Sequence, residues 1–229
     1  MEINILHLLA GARQARGLTV IIDVFRAFSV ACYLFYRGVE KIIPVAEVEQ
    51  AYKLKKEHPS FLLVGERGGK KLPGFDYNNS PSQLLRAPVE GKTVVHTTSA
   101  GTRGLINARR AEEVITGSFV NALAVVNYIK QVDPELVSLV CMGIGGREPA
   151  DEDIQCAHYL QNSLLDRDNN FEQMVKTIKK GTGQRFFDPQ REDSPREDFH
   201  LCLELDRFDF VIKFQKPEHN ENLPVLAIL

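Results

Sequence analysis

Acidic, hydroxyl, glycine and arginine residues follow four of the short apolar runs in this chain. In "VIIDVFRAFS", Asp23 directly ends such a run, and Arg26 stands three residues later. The runs at 61–65, 93–96 and 136–142 are followed by "ERGGKKLPGFDYNNSP", "TTSAGTRGL" and "GIGGREPADED". A solvated loop accepts any polar residue, whereas an ion or phosphate site needs carboxylates and guanidiniums in particular. These four segments are therefore the candidates for the chemistry of the protein.

The residue types in these segments suit a divalent cation and an oxyanion. Four carboxylates are hard oxygen ligands of the kind that Mg²⁺ prefers: Asp23, Glu66, Glu152 and Asp153. Three arginines can hold phosphate, carboxylate or sulfonate oxygens through paired N–H groups: Arg26, Arg67 and Arg103. "TTSAGT" before a helix presents hydroxyls and backbone N–H groups to an anion at a positive helix end, and Gly101 lets backbone come close. The sequence therefore predicts a site where a metal and an anion meet.

Several of these segments also have a purely structural interpretation. Asp23 could cap the helix that starts near Val24, and Ser80-Pro81 has the composition of a helix start with Pro at its first position. "ADED" at 150–153 places acids on a helix N-terminus, where the helix dipole favours them without any ligand. "TTSAGTRG" carries more hydroxyls and glycines than a turn needs, so this segment favours the ligand site.

Residues 141–147, "CMGIGGR", have the Cys-x5-Arg spacing of cysteine-dependent phosphatases. In those enzymes a thiolate attacks phosphorus at a loop that cradles phosphate. Here Glu148 follows the arginine, where its charge would repel phosphate, and Pro149 delays the helix that should stabilise the thiolate. A thiolate phosphatase that uses Cys141 and Arg147 is therefore an alternative function.

The elements that must position these residues alternate between strand and helix. Short runs rich in Val, Ile and Leu predict buried strands at 18–23, 39–45, 61–65, 93–97, 113–116 and 136–142, and most of the stretches between them have helical spacing. This pattern predicts an α/β protein, layered α/β/α with a largely parallel sheet, with two similar α/β subdomains as an option. Because ligands of such sheets bind beyond the carboxyl ends of the strands, we expect the four polar segments to converge there.

The C-terminal third is predicted from the same patterns. Residues 151–165 have helical spacing, and "FDFVIKF" at 208–214 alternates as a final strand does. Between them, residues 166–200 are polar, which predicts a surface excursion, either a lid or solvated surface. We expect a single domain over residues 1–229, with a subdomain boundary between 120 and 150 as the alternative; no linker composition demands that boundary.

Composition and charge narrow the class of protein. The 229 residues are 44% hydrophobic and 25% charged, the ordinary globular balance. The net charge of −2 gives no basic footprint, so we expect no nucleic-acid partner. The four cysteines form no CxxC pair, and the chain shows neither a signal-peptide pattern nor an apolar run long enough for a membrane span. We therefore expect a cytoplasmic protein without a membrane partner.

Five segments taken together resemble the 2-phosphosulfolactate phosphatase (ComB-like) family. They are "IDVFRAFS", "GERGGKKLPGFDYNNSP", "TTSAGTRGL", "GSFVNA" and "EDIQCA", in that order and at the family's approximate spacing. Each segment is weak alone, and the five in order are specific. The resemblance implies a layered α/β, Mg²⁺-dependent hydrolase that removes phosphate from 2-phospho-3-sulfolactate, or a similar small phosphorylated acid. The product would be 3-sulfolactate, in a step of coenzyme M biosynthesis.

The resemblance also implies roles for individual residues. Catalysis would involve Asp23, Arg26, Arg103, Glu66 and Asp153, and Mg²⁺ would be bound by Asp23, Glu66, Glu152 and Asp153. The substrate, a small phosphorylated sulfonate or carboxylate, would be bound by Arg67, Asn79, Ser80, Thr98, Ser99, Thr102 and Asn121, beside the close backbone approach at Gly101. The nucleophile is either water or Asp23. A homodimer is an option for the assembly, and a non-catalytic small-anion-binding protein is the third possible function.

Overall fold

The computed structural model describes residues 1–216 and 223–229, and these residues form a mixed, largely parallel β-sheet with helices packed on it. Its ten strands are β1 (Glu2–His7), β2 (Leu18–Ile22), β3 (Lys41–Pro44), β4 (Leu62–Arg67), β5 (Lys70–Lys71), β6 (Thr93–Thr97), β7 (Glu113–Gly117), β8 (Leu136–Cys141), β9 (Ile212–Gln215) and β10 (Val225–Ile228). All six strands expected from the apolar runs are present. The predicted α/β class with a layered arrangement is confirmed.

Helices follow most of the strands. They are α1 (Leu8–Gln14), α2 (Ala27–Tyr36), α3 (Val48–Glu57), α4 (Pro81–Leu84), α5 (Gly101–Asn107), α6 (Ala122–Val132), α7 (Asp151–Leu164), α8 (Phe171–Lys180) and α9 (Arg196–Cys202), with 3-10 helices at Phe119–Asn121 and Thr182–Phe187. The helix predicted at 151–165 is α7. The strand predicted at 208–214 is shorter and begins at Ile212. Within the described residues, no helix combines the length and the apolar character that a membrane span requires.

The strand order is β1-β8-β2-β7-β9-β10-β3-β6-β4-β5. Strands β1, β8, β2 and β7 are mutually parallel and form one block, and β3, β6 and β4 are mutually parallel and form a second block. Three antiparallel pairings, those of β7–β9, β9–β10 and β10–β3, separate these two blocks, so the blocks run in opposite senses. The four polar segments therefore follow strands of two blocks rather than one edge of one parallel block. All ten strands belong to one sheet; whether the chain forms one domain or two stays a prediction.

One hydrophobic core brings the two blocks together. Ile21 of β2, Ile42 of β3 and Val94 of β6 belong to the same buried cluster as helix α2. Successive strand residues point to opposite faces, and Ile22 and Val95 accordingly lie in two separate outer clusters, the first with α6 and α7 and the second with α3. Helix α2 thus packs on inner residues of both blocks. This packing lets strand ends of opposite sense meet at one place.

The polar segment 166–200 is more buried than its composition predicts. Phe186 and Phe199 are buried, and Asp198 is fully buried. The rings of both phenylalanines pack on Phe25, with centroid separations of 4.8 and 5.7 Å. The interpretation as solvated surface is therefore wrong for the 3-10 helix at Thr182–Phe187 and for α9, because aromatic residues anchor these elements to the loop after β2.

Candidate active site

A cavity of about 490 Å³ lies where the loops after β2, β4, β6 and β8 meet the segment after α8. Among the residues that the structure describes, its charged lining residues are three carboxylates and three arginines: Asp23, Glu66, Glu152, Arg26, Arg185 and Arg191. Asn79 and Ser99 also line it. Six residues predicted from the sequence are thus brought together, although they are distant along the chain. Both parallel blocks contribute to the cavity.

Asp23 lies between the first turn of α2 and the cavity. Its Oδ1 accepts the backbone N–H of Ala27 at 3.1 Å. The helix predicted near Val24 starts at Ala27 and its N-cap residue is Arg26, so Asp23 contacts the first turn without being its N-cap. Gly101 makes room for it, because a Cβ there would lie 2.8 Å from Asp23 Oδ2. Burial, together with the charges of Glu66 and Glu152, raises the pKa of Asp23 to about 7, against the lowering effect of backbone N–H groups. In the absence of a cation, this carboxyl therefore titrates near neutral pH.

The loops after β4 and β6 fix the orientation of Glu66. Its Oε1 accepts the backbone N–H of Ser99 at 2.6 Å, and its Oε2 accepts the N–H of Gly69 at 2.7 Å and the Ser99 hydroxyl at 3.0 Å. Gly68 and Gly69 have φ values of 59° and 85°, which glycine adopts without steric strain. The glycines of "ERGGKK" therefore let the loop fold back onto its own glutamate.

The acidic residues at the start of α7 have different surroundings. Glu152 lines the cavity and accepts a hydrogen bond from the Thr182 hydroxyl. Asp153 does not line the cavity; it accepts the backbone N–H groups of Val24 at 2.9 Å and Gly143 at 2.7 Å and so joins the loops after β2 and β8. Burial raises the pKa of Glu152, and burial with the neighbouring carboxylates raises the pKa of Asp153 well above its usual range. The negative charges of these carboxylates therefore repel each other when both groups are ionised.

Arg26 is held by a buried ion pair that the sequence did not reveal. It is 4% exposed, and its Nη1 lies 2.7 Å from Oδ2 of Asp198. Asp198 also accepts the hydroxyls of Ser80 at 2.9 Å and Ser82 at 2.6 Å. The other Nη atom of Arg26 donates to the carbonyl of Gly69 at 3.2 Å. Ser80 precedes Pro81 at the start of α4 as predicted, but its hydroxyl binds Asp198 rather than capping the helix.

Asn79 presents an amide to the cavity. Its Oδ1 lies 2.9 Å from Nε2 of His96. Burial lowers the pKa of His96 to about 4, so the imidazole is neutral at pH 7 and Nε2 donates to the amide oxygen. The amide nitrogen of Asn79 has no hydrogen-bond partner among the described residues and can donate to a ligand.

Thr98, Thr102 and Asn121 were also predicted to bind substrate, but they do not line the cavity. Thr98 and Thr102 exchange hydrogen bonds at the start of α5, where each backbone N–H donates to the other hydroxyl at 2.9 and 3.1 Å. Asn121 accepts the backbone N–H of Ser118 at 3.3 Å in a capping box. The contacts of the two threonines stabilise the loop that carries Ser99, whereas the segment of Asn121 contributes no residue to the lining.

The two remaining predicted arginines also lie outside the lining. Arg67 donates to the carbonyls of Glu66 and Ala46 at 2.7 and 3.0 Å and to the Thr97 hydroxyl at 2.9 Å. Burial lowers the pKa of Arg67. Arg103 is half-buried and makes no ion pair within residues 1–216 and 223–229. Their roles in binding substrate stay predictions.

The segment after α8 supplies lining residues that sequence reasoning missed. Thr182, Arg185 and Arg191 line the cavity from this side. Their types match those of an ordinary solvated loop, and the surrounding stretch is polar. The one available signal was the Phe186-Phe187 pair, since two adjacent aromatic residues in a polar stretch indicate an anchoring point.

Cys141 does not have the surroundings of a nucleophile. It is 2% exposed, it does not line the cavity, and its Sγ lies 3.4 Å from the carbonyl of Asp153. Burial, with the charge of Asp153, raises the pKa of the thiol. Arg147 is exposed to solvent. The thiolate alternative therefore has no support in this geometry, since a reactive cysteine needs a lowered thiol pKa and access.

The carboxylates of the cavity fit a cation that keeps other ligands. Within the described part of the chain, no three Asp, Glu, His or Cys side chains are grouped closely enough to hold a metal by themselves. Asp23, Glu66 and Glu152 nevertheless share one cavity and are hard oxygen donors. Mg²⁺ commonly binds through one or two carboxylates and retains water or phosphate oxygens. The donor set therefore suits Mg²⁺ more than a cation that needs an all-protein cage.

Comparison with known proteins decides the family. The sequence model of the protein family described as 2-phosphosulpholactate phosphatase matches residues 5–217 of this chain. The chain belongs to the 2-phosphosulfolactate phosphatase family. Members of the 2-phosphosulfolactate phosphatase family are phosphoric monoester hydrolases, and this chain is an enzyme of that class. The resemblance seen in the sequence is confirmed.

Three relatives of the 2-phosphosulfolactate phosphatase family illustrate the extent of the similarity, and each is named a probable 2-phosphosulfolactate phosphatase. The protein from Caldanaerobacter subterraneus subsp. tengcongensis is 34% identical over 210 residues, which cover 86% of this chain and 87% of the relative. That from Clostridium perfringens (strain SM101) is 34% identical over 217 residues, 88% of this chain and 87% of the relative. That from Thermotoga petrophila is 43% identical over 128 residues, 56% of this chain and 54% of the relative.

Proposed function

We propose that this enzyme hydrolyses 2-phospho-3-sulfolactate, or a similar small phosphorylated acid, to 3-sulfolactate and phosphate, a reaction of the coenzyme M biosynthesis type. The observation that carries the proposal is the single cavity in which three carboxylates and three arginines meet. The names of the relatives support the substrate. A molecule with phosphate, carboxylate and sulfonate groups needs both a cation and arginines to neutralise it.

In this proposal the carboxylates of Asp23 and Glu152 hold Mg²⁺, with Glu66 oriented beside them by its hydrogen bonds. A bound Mg²⁺ supplies positive charge that stabilises the charge developing on the transferred phosphoryl oxygens. The raised pKa values of Asp23 and Glu152 support this assignment, because two buried carboxylates that disfavour ionisation gain from a countercharge. Asp153 is assigned a positioning role, since both of its oxygens accept backbone N–H groups.

The amide of Asn79 and the guanidinium of Arg26 orient the substrate in this proposal. The amide nitrogen of Asn79 donates to a substrate oxygen, since its amide oxygen is engaged by His96. Arg26 lies at the cavity with its charge already balanced by Asp198, which makes it a fixed donor rather than a mobile one. The nucleophile is either water or Oδ2 of Asp23, and both alternatives make Asp23 indispensable.

Phosphate release from 2-phospho-3-sulfolactate tests the proposal. We expect turnover by the wild type that stops in EDTA and returns with Mg²⁺, and a loss of about 100-fold or more in kcat for Asp23→Asn. Cys141→Ser is the matched control and should keep kcat within about twofold, because its thiol lies outside the cavity. Full activity in EDTA would contradict the proposed requirement for Mg²⁺. Tight sulfolactate binding without turnover of any phosphomonoester would favour the anion-binding alternative.

The cellular setting is proposed on less specific grounds. All four cysteines are free and buried, which fits the reducing cytoplasm. The cytoplasmic location, the homodimer and the lack of a nucleic-acid partner stay predictions.

A further inference from the structure

Arg185 differs from the other arginines of the cavity in having no acidic partner. Arg26 is paired with Asp198 at 2.7 Å, and Arg191 is paired with Asp193 at 3.1 Å. Arg185 makes no ion pair in the described part of the chain; its Nη2 donates to the carbonyl of Phe25 at 3.2 Å. Among the arginines that line the cavity, its charge is therefore the one that no carboxylate neutralises at contact distance.

The guanidinium of Arg185 also has an unused donor. Its Nε is buried and has no hydrogen-bond partner among residues 1–216 and 223–229. A buried N–H without a partner is destabilising, more so when the group is charged, so such atoms are rare and often mark a site for water or a ligand. The side chain lines the cavity, so its guanidinium meets a ligand held there, although Nε itself is shielded from solvent in the absence of a ligand.

Aromatic packing holds Arg185 in place. Its guanidinium carbon lies 5.0 Å from the ring centroid of Phe186 and 5.9 Å from that of Phe25. Stacking of this kind restricts the rotamers of a long side chain, so little conformational entropy is lost when it binds an anion. The guanidinium is thus preorganised as a planar donor for an oxyanion.

The remaining question is which substrate group Arg185 contacts. The three carboxylates of the cavity define where a cation, and therefore the phosphate, would lie. Burial raises the pKa of Glu152, and the positive charge of Arg185 opposes this rise from a distance, because the two side chains are not within salt-bridge distance. A phosphorylated acid carries a second anionic group beyond the phosphate, and the cavity offers one arginine that remains free for it.

We infer that Arg185 is a specificity-determining residue that binds the acidic group of the substrate other than the phosphate. The inference rests on the proposed function for the position of the phosphate. The acidic group is a carboxylate or a sulfonate, since each presents at least two negatively charged oxygens to the guanidinium fork.

Substrate pairs and variants of Arg185 test this inference. The substrates are 2-phospho-3-sulfolactate, 2-phospholactate with only the carboxylate, 2-phosphooxyethanesulfonate with only the sulfonate, and phenyl phosphate with neither. For Arg185→Gln we expect kcat/KM to fall by about 10- to 100-fold, mainly through KM, on the esters that carry the contacted group, and by less than about threefold on phenyl phosphate. Arg185→Lys should recover part of the loss, because it keeps the charge without the fork.

Arg191→Gln is the matched control, since this arginine lines the same cavity but is engaged by Asp193. We expect a smaller and substrate-independent effect from it. Whichever single-acid ester loses most in Arg185→Gln identifies the group as carboxylate or sulfonate. An equal loss on all four esters, or no loss on any, would overturn the inference.

A binding measurement separates this inference from the proposed function. Calorimetric titration of the Mg²⁺-loaded wild type with 3-sulfolactate needs no turnover, and we expect Arg185→Gln to weaken binding by about 10-fold or more. If the wild type binds sulfolactate through Arg185 but does not hydrolyse 2-phospho-3-sulfolactate, only the proposed function fails. If sulfolactate binds equally to both proteins or to neither, the inference fails.

Discussion

At the scale of residues, the cavity holds two carboxyl groups, those of Asp23 and Glu152, whose pKa values are raised in the protein alone. Asp23 is buried, and its neighbours Glu66 and Glu152 are acidic, so the pKa of Asp23 rises from 3.8 to about 7. Its position at the end of β2 was predictable because the apolar run stops there, although the sequence also allowed a helix-capping role for it. Its altered acidity was not, because it depends on neighbours that are distant in the sequence.

This acidity predicts how stability depends on pH without a cation. Between about pH 4 and pH 7 the folded protein keeps a proton on Asp23 that the unfolded chain releases, so this group lowers the free energy of unfolding as pH rises through that window. Asp23→Asn removes the effect. We expect its Tm in EDTA to exceed that of the wild type by a few degrees at pH 8, with the difference vanishing near pH 4. A lower Tm for the variant at pH 8 would contradict this account.

At the scale of elements, regular patterns predicted the strands and α7, while contacts of irregular segments were not predictable. Apolar runs with Val and Ile specify buried strands wherever they occur. Asp198, in contrast, lies in "SPRED", which has the composition of solvated surface. Phe199 beside it decides its burial, because the ring packs on Phe25 and draws α9 against the loop after β2.

Asp198 on α9 binds Arg26 in the loop after β2 and the hydroxyls of Ser80 and Ser82 at the start of α4. Its removal should therefore cost more than the loss of one hydrogen bond. In Asp198→Asn the buried Arg26 loses its countercharge, and we expect the free energy of unfolding to fall by about 3–5 kcal/mol in urea titrations. Glu197→Gln is the matched control: it breaks the exposed pair of Glu197 with Arg86, at 3.3 Å, and should change stability by less than about 1 kcal/mol. Similar losses in the two variants would sink this explanation.

At the scale of the whole molecule, the opposite senses of the two parallel blocks could not be predicted. Each strand was recognisable locally, but its partner depends on where β9 and β10 insert, and no local pattern encodes that choice. The convergence of the four segments was predicted for a simpler sheet. It occurs here because one core, shared by residues of both blocks and α2, brings their strand ends together.

The distribution of charge over the molecule gives a further prediction. The net charge is −2, yet Lys70 and Lys71 are exposed in a depression that shares Gly68 and Arg191 with the cavity. These lysines should attract an anionic substrate despite the overall charge. For Lys70→Ala/Lys71→Ala we expect kcat/KM to fall by about 2- to 10-fold at low ionic strength and by much less at high salt. Initial-rate assays at a series of salt concentrations measure kcat/KM, with Lys53→Ala/Lys56→Ala on α3 as the control. Equal effects of the two double variants would contradict the attraction of substrate by Lys70 and Lys71.

The antiparallel pair β9–β10 has a consequence for biosynthesis. A ribosome releases β1 to β8 first, and at that stage the two blocks have no strands between them and each presents an unpaired edge. The sheet becomes continuous only when β9 and β10 have emerged, so the loops of the cavity cannot be locked in place before then. We expect the nascent chain to depend on chaperones until β9 and β10 are made, and to acquire activity only after this pair has formed.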